Sequence, residues 1–407
     1  MPTTPGAQRM HGGGGSDGFV AKFSADGRTL LYSTYIGTGN DEYITGLALD
    51  AAGNAYVSGY VQASGASQSD AFLIKIVDNG TSLAFTVRIF GGAANDRAND
   101  VIVTSTGTVV VVGTTASPTG FGSPNAMQAN LVGSSDGFIR RYDSNLNLLS
   151  STYLGGPFEQ GINAVDVGGA GNITIAGYDT NFGNTFDNHV WVARLNAAAS
   201  QVLWTSTLIG NAREEALDVR ISTAGDAILG GWTESSDFFT VNDPSAGTFP
   251  GLFQSYGHNK DGFVAVVANG NGNLLYASYL NGPGIDFVRA VERGSNNDII
   301  VFGDAQPNPD NVLSKDAFVI RFNSVLQVPQ SLDYVAIVGS SLDDYGLAMA
   351  RTANGALFVA GSVGGSNFFT TPGCYMPTKP SPYASSFFRR LADPEEMPEI
   401  LFANGFE

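Results

Sequence analysis

Short apolar runs alternate with polar residues along the chain, and turn residues separate the runs. Within residues 17–60, four such runs follow one another, at 19–23, 30–36, 44–49 and 55–57. Each run ends at a turn that contains Gly, and β-branched and aromatic residues dominate between the turns. This is the pattern of strands joined in hairpins. Four consecutive strands of this kind predict one antiparallel four-stranded sheet.

The rest of the chain repeats this unit. The opening Asp-Gly/Ala-Phe begins at Asp17, Asp70, Asp136, Asp261 and Asp316, and degenerate copies begin at His189 and Ser386. A four-stranded unit of roughly 50 residues, repeated this often, predicts an all-β fold, a β-propeller of four-stranded antiparallel blades. A β-solenoid has shorter coils and a sandwich domain needs about seven strands, so both alternatives fit less well.

Several segments also resemble a known family. They are DGFVAKFSADG at 17–27, YSTYIG at 32–37, GLALDAAGNAYVSGY at 46–60, and TTPG at 3–6 and 370–373. Over nearly its whole length the chain resembles the SBBP (seven-bladed β-propeller) repeat family of bacterial exported proteins. The resemblance implies a propeller at the bacterial cell surface or outside the cell. It implies no reaction, because the family is defined by its blades.

The resemblance also sets the phase of the blades, with GLALD as an innermost strand and NAYVSGY as the second strand. On this phase six inner pairs can be counted, starting near Ile44, Val101, Asn163, Leu217, Val288 and Gly346. A hairpin at 19–36 precedes the first pair. Six blades result if this hairpin closes the ring on the last pair, and seven if an upstream half-blade is missing. We expect one propeller over residues 1–392 that begins mid-blade, then an acidic linker and short C-terminal tail at 393–407.

Composition narrows the set of partners. The formal net charge is −17 and the pI is about 4.4, so the surface repels nucleic acid and anionic membranes. No apolar run approaches about 18 residues, which predicts no membrane span. Cys374 is the single cysteine, so an internal disulfide and a Cys-based zinc site are both excluded. No signal peptide is visible, which we attribute to a truncated start, and we expect a monomer.

An acidic residue precedes each predicted innermost strand, at Asp41, Asp96, Glu159, Glu214, Asp286 and Asp344. Six blades would bring these carboxylates to one mouth of the central channel. Hard cations take several oxygen ligands, so one hypothesis is a cation site, with calcium as the metal. The alternative is that each carboxylate accepts backbone N–H bonds within its own turn. No D-x-D-x-D-G loop is present to strengthen the metal hypothesis.

Three loops between second and third strands are long, at 114–135, 234–260 and 362–385. They carry aromatic residues among polar ones, at Phe121, Phe239, Phe249, Phe253, Tyr256, Phe369 and Tyr375. Aromatic side chains on polar loops of a rigid scaffold suit contacts with a protein or glycan partner. The alternative is that they fill the grooves between blades.

Signals of catalysis are weak in this sequence. Two G-x-S-x-G matches, at 14–18 and 133–137, are the repeat's own turn and lack the strand–turn–helix context of a nucleophile elbow. We therefore predict a non-catalytic exported or cell-surface propeller that binds a protein or glycan through its long-loop face. One alternative is a polysaccharide hydrolase or lyase that uses two channel-mouth carboxylates, with Glu214–Glu215 and Asp343–Asp344 as candidates. Another is a purely structural module of a larger surface protein.

Overall fold

In the computed structural model, every regular element among the described residues is a β-strand. The structure describes residues 6–63, 68–180, 187–238, 260–280, 284–294, 298–306, 315–325, 328–352, 355–368, 370 and 385–391. This part of the chain contains no helix that is long and apolar enough to cross a bilayer.

The strands follow one another in sheets of consecutive elements, all paired antiparallel where the register is defined. The first sheet is a hairpin of β1 (Gly18–Phe23) and β2 (Leu30–Ile36). Blade 1 consists of β3 (Asp41–Leu49), β4 (Ala55–Gln62), β5 (Ser69–Asp78) and β6 (Leu83–Phe90). Blade 2 consists of β7 (Asp96–Val103), β8 (Val109–Thr115), β9 (Asp136–Tyr142) and β10 (Leu148–Leu154). Blade 3 consists of β11 (Gln160–Val167), β12 (Ile173–Asp179), β13 (His189–Leu195) and β14 (Val202–Leu208).

The remaining blades continue the series. Blade 4 consists of β15 (Glu214–Ile221), β16 (Ala227–Thr233), β17 (Asp261–Val267) and β18 (Leu274–Leu280). Blade 5 consists of β19 (Phe287–Arg293), β20 (Ile299–Ala305), β21 (Asp316–Val325) and β22 (Val328–Val338). Blade 6 has three strands among the described residues, β23 (Asp344–Arg351), β24 (Leu357–Val363) and β25 (Ser385–Leu391).

The fold class is therefore an all-β propeller, and the prediction of six countable blades is confirmed. The hairpin β1–β2 forms a sheet of its own, and the seven-bladed alternative stays a prediction. The chain forms two compact units, one made of Met1–Ala25, Thr29–Phe186 and Val192–Thr205, and the other of Asp26–Arg28, Asp187–Trp191 and Ser206–Glu407.

The core of each unit lies between consecutive sheets. In the first unit, Tyr56 of blade 1 packs in one buried cluster with Val101 and Val111 of blade 2. In the second unit, Ile228 of blade 4 and Val301 of blade 5 belong to one such cluster. Successive side chains of a strand point to opposite faces of its sheet. A blade that has a neighbouring blade on each side therefore needs apolar residues on both faces of its inner strands.

Turns between the first and second strands repeat one geometry. Asp50 accepts a backbone bond from Gly53, and its carboxylate accepts the N–H groups of Ala52 and Asn54. The glycine of this turn has a positive φ in five blades, at Gly53, Gly107, Gly171, Gly225 and Gly355. Only glycine adopts that conformation without cost, which is why the turns could be found in the sequence.

Each innermost strand carries a β-bulge at the same place. The extra residues are Thr45, Asn99, Asn163, Leu217, Arg289 and Leu347. The residue after the bulge joins neighbouring blades in two places. Asp100 accepts a hydrogen bond from the backbone of Val165, and Asp218 accepts one from the backbone of Val291, both at 2.9 Å. The bulges thus link inner strands within each unit and change the direction of one side chain per blade.

Candidate functional site

The carboxylates predicted to form one ring occupy two different positions on their strands. The backbone N–H groups of Glu214, Asp286 and Asp344 each donate to a backbone carbonyl. In each case this carbonyl belongs to the residue directly before a third strand. Gln160 of blade 3 makes the same bond, and Glu42 of blade 1 bonds to the carbonyl of Ser16, just before the hairpin strand β1. Asp41 and Glu159 therefore lie one residue earlier, where Asp41 accepts the N–H of Gly15 and Glu159 accepts the hydroxyl of Ser134.

The inner position holds an acceptor for its own turn. Asp96 accepts the backbone N–H of Gly92, four residues earlier, at 2.7 Å. Glu42 accepts that of Thr38 at 3.1 Å in the same way, and the amide oxygen of Gln160 accepts that of Gly156 at 2.9 Å. Because an uncharged amide serves equally well in blade 3, this position requires an acceptor rather than a negative charge.

Burial raises the pKa of acids at the starts of both first and third strands. The pKa of Glu214 is raised to about 7, mainly by burial, although His189 opposes the shift. Burial raises the pKa of Asp316 to about 6, and the nearby Asp344 adds to this effect. Within the described ranges, no group of three or more acidic, histidine or cysteine side chains is placed to hold a metal ion. The calcium site stays a prediction.

Glu214 is the centre of a buried polar network. Its carboxylate accepts the hydroxyl of Ser235 on one oxygen, and its other oxygen lies 2.8 Å from Nδ1 of His189. All three side chains are buried. A serine–histidine–acid triad needs the histidine between the serine and the acid. Here the acid lies in the middle, so the network does not activate the serine as a nucleophile.

The long loops are anchored by aromatic residues that stack on third strands. The ring of Phe121 lies 4.6 Å from that of Phe138, centroid to centroid, and Phe238 lies 4.9 Å from Phe263. Phe121 is fully buried, so its ring offers no surface to a partner. This placement matches the alternative in which loop aromatics fill grooves. The other predicted partner residues lie outside the described residues: Phe239, Phe249, Phe253, Tyr256, Phe369 and Tyr375.

A different set of side chains comes together where the inner strands of blades 4 to 6 begin. We call it the Phe287 cluster, and it consists of Trp232, Lys260, Phe287, Arg289, Asp304, Lys315 and Tyr345. Lys260 and Lys315 directly precede third strands. Phe287 is the first residue of the first strand of blade 5, and Tyr345 is the second residue of that of blade 6. These ends lie at the edge of the blades from which the long loops leave.

Phe287 lies at the centre of the cluster. Three cationic groups lie near its ring, at centroid distances of 5.8 Å for Lys260, 4.5 Å for Arg289 and 5.2 Å for Lys315. Lys260 also lies over the ring of Trp232 at 3.6 Å. Cations over aromatic faces are attracted by the ring quadrupole. The arrangement therefore joins aromatic rings and charged donors from three consecutive blades.

Part of this cluster has a signal in the sequence. Trp232 follows the glycine of the second strand in ILGGW, as Tyr60 does in YVSGY and Tyr178 in TIAGY. In blade 1, Tyr60 stacks on Tyr43 at 4.8 Å and lies 4.7 Å from the guanidinium of Arg97. The sequence therefore shows an aromatic residue after the second-strand glycine in these three blades. Arg289 had no such signal, because its direction depends on the bulge.

Solved structures similar to this chain exist, whereas family models and curated proteins give no match. No model of a known protein family matches the chain. No curated protein matches it. The chain is similar to a crystal structure of a protein of unknown function from Dyadobacter fermentans, with 9% identity and a TM-score of 0.48 over 91% of this chain and 97% of that one. It is also similar to Sqt1 from Chaetomium thermophilum, with 12% identity and a TM-score of 0.40 over 83% and 85%. The SBBP resemblance stays a prediction.

Proposed function

We propose that this protein is a non-catalytic β-propeller, exported or held at the cell surface, that binds a glycan through the Phe287 cluster. The observation that carries the proposal is the two half-buried rings of Phe287 and Tyr345, which lie beside charged donors at one edge of consecutive blades. Sugars present C–H faces that pack on aromatic rings, and hydroxyl groups that bond with charged side chains. Sites of this kind combine apolar walls with a few polar groups that fix orientation.

The scaffold supports the same proposal. Binding residues are often placed on loops and strand ends that a rigid framework holds. Phe287 and Tyr345 are held by the first strands of blades 5 and 6, and Asp304 by the second strand of blade 5. A ligand would meet side chains that are already in place, so little conformational entropy would be lost on binding.

The proposal is tested by titrating the purified chain with a panel of neutral and acidic polysaccharides in a calorimeter. We expect Phe287→Ala and Tyr345→Ala each to weaken binding at least about tenfold, the range of a central aromatic contact. Phe85→Ala is the matched control, because Phe85 is an exposed aromatic residue on a fourth strand of blade 1. Equal affinity in all four proteins, or no binding to any polysaccharide, would contradict the proposal.

One observation favours a second candidate, a polysaccharide hydrolase or lyase. A carboxyl group whose pKa is about 7, as in Glu214, suits a general acid. Against this, Glu214 is fully buried and its oxygens are bonded to Ser235 and His189. Release of reducing ends or unsaturated sugars from the bound polysaccharide, lost in Glu214→Gln, would favour the enzyme.

A further inference from the structure

In and beside the Phe287 cluster, the cations outnumber the carboxylates with which they form ion pairs. Glu234 is already paired with Arg213, whose Nε and Nη2 lie 2.9 Å and 3.0 Å from its oxygens. One oxygen of Asp304 accepts the Nε–H of Arg289, and the other lies 3.5 Å from its Nη2. Each of these carboxylates also has a lysine beside it. Nζ of Lys260 lies 3.5 Å from an oxygen of Glu234, and Nζ of Lys315 lies 3.8 Å from an oxygen of Asp304. Four cations thus pair with two carboxylates, while Asp343, beside Tyr345, and Asp187, near Arg213, add negative charge nearby.

The two ammonium groups keep hydrogen-bonding capacity. A lysine ammonium has three donors, and a good N–H···O bond is about 2.7–3.2 Å long. The distances to Glu234 and Asp304 are longer than this, so these ion pairs do not use the donors fully. The side chains are 27% and 20% exposed, so the ammonium groups of Lys260 and Lys315 are partly shielded from water, and an anion would be attracted more strongly than at an open surface.

We infer that the glycan is an acidic polysaccharide, and that Lys260 and Lys315 bind the carboxylate of a uronic acid whose ring packs on Phe287. This inference rests on the proposed function and names its ligand class. Lys260 of blade 4 and Lys315 of blade 5 both lie within 6 Å of the Phe287 ring centre, so one sugar on that ring is within reach of both.

Neighbouring acids favour a singly charged group over a sulfate- or phosphate-rich one. Asp343 accepts the backbone N–H of Lys315, and Asp304 and Glu234 lie beside the two ammonium groups. A carboxylate adds one negative charge, which the ammonium groups of Lys260 and Lys315 balance. A polymer with several charges per sugar would meet repulsion from these acids and from the acidic surface as a whole.

The test compares polygalacturonate with the same polymer after chemical reduction of its carboxyl groups. We expect the reduced polymer to bind at least about tenfold more weakly to the wild-type chain, which corresponds to about 1.4 kcal/mol. The double variant Lys260→Met/Lys315→Met should bind both polymers alike. The variant Lys260→Arg/Lys315→Arg keeps both charges and should retain the preference.

Lys22→Met is the matched control, since Lys22 also lies near an aromatic ring, that of Tyr32 at 5.8 Å, and pairs with Asp78 at 3.3 Å. Thermal midpoints of all variants establish that they are folded. Equal binding of both polymers by the wild type would overturn this inference and leave glycan binding intact. Dextran sulfate bound as tightly as polygalacturonate, with the same dependence on the lysines, would also overturn it. No binding to any glycan would remove the proposed function itself.

Discussion

At the scale of single residues, the first position of the inner strands shows how a repeated acid can be structural. Asp96 accepts the hydroxyl groups of Thr115 and Ser117 as well as the N–H of Gly92. Glu214 likewise accepts the hydroxyl of Ser235. Gln160 takes the same place in blade 3 with an amide. Hydrogen bonds to its own turn account for the residue type at this position, because an unmet backbone N–H in a buried turn is costly.

Glu214 makes a pH-dependent contribution to stability. Its pKa is raised from 4.5 to about 7 in the folded chain, so the native state holds this proton more tightly than the unfolded state. Stability from this group is therefore greatest at low pH and falls as the pH rises through the interval from 4.5 to about 7. We expect Glu214→Gln to remove this fall, a difference of up to about 3 kcal/mol between the two ends of the interval.

The measurement for Glu214 is urea unfolding of both proteins from about pH 5 to about pH 8. Glu159→Gln is the control, because Glu159 is exposed and lies one residue before the inner position. Parallel stability curves for wild type and Glu214→Gln would show that this carboxyl does not carry the effect.

Tyr279, on the fourth strand of blade 4, forms hydrogen bonds with the backbone at the start of the long loop of that blade. The hydroxyl of Tyr279 donates to the carbonyl of Ser235 at 2.7 Å and accepts the N–H of Phe238 at 3.1 Å. Tyr279→Phe leaves two buried backbone groups without this partner, and we expect it to lower the free energy of unfolding by about 1–3 kcal/mol. Tyr35→Phe, at the equivalent place in the hairpin β1–β2, is the control and should change little. Denaturant titration distinguishes them, and equal effects would contradict the prediction.

At the scale of elements, anchored loops and bulged strands position the side chains that matter. Tyr153 repeats the arrangement of Tyr279, since its hydroxyl donates to Ser117 at 3.0 Å. The guanidinium of Arg140 lies 4.7 Å from the ring of Phe121 and donates to the carbonyl of Gly120. The first part of the blade 2 loop is thus a built part of the core, and the bulge in blade 5 sends Arg289 into the Phe287 cluster.

The groove-filling interpretation of Phe121 has a direct test. Phe121→Ala removes a fully buried ring that packs against Phe90, Phe138 and Tyr153, so we expect a loss of about 3–5 kcal/mol in the free energy of unfolding. Phe158→Ala is the control, because Phe158 is a loop aromatic that is 38% exposed. It should change stability by less than about 0.5 kcal/mol. If Phe121→Ala were the neutral variant, its ring would not be the loop's anchor.

At the scale of the whole molecule, a net charge of −17 coexists with inner-strand acids, such as Asp96 and Asp344, that accept hydrogen bonds from neighbouring backbone groups. Among the described residues no set of them is grouped for a metal. A net charge of this size favours solubility and biases the choice of partners away from polyanions, except where cations are concentrated.

A thermal melt with calcium, and then with a chelator, tests the metal hypothesis at this scale. If the inner acids serve their own turns, we expect calcium to move the midpoint by less than about one degree. A rise of several degrees that the chelator reverses would show a native-state cation site. Asp344→Asn would then identify whether the inner position supplies a ligand.

The sequence by itself determined the strands, their order and their turns. Alternating side chains and glycines with a positive φ, such as Gly53 and Gly171, act over a few residues, so they are visible without the fold. The tertiary structure decided which of Asp41 and Glu42 points into the turn, because spacing cannot separate adjacent residues around a bulge. It also decided that Phe121 is buried.

Apart from Trp232, whose position after the second-strand glycine is visible in the sequence, the Phe287 cluster could come only from the tertiary structure. Its members lie between residues 232 and 345 and meet because three blades pack side by side within one unit. Contacts of that kind depend on the packing of whole sheets and on one bulge, and neither leaves a local pattern in the chain. The sequence therefore predicts the fold but not the candidate site.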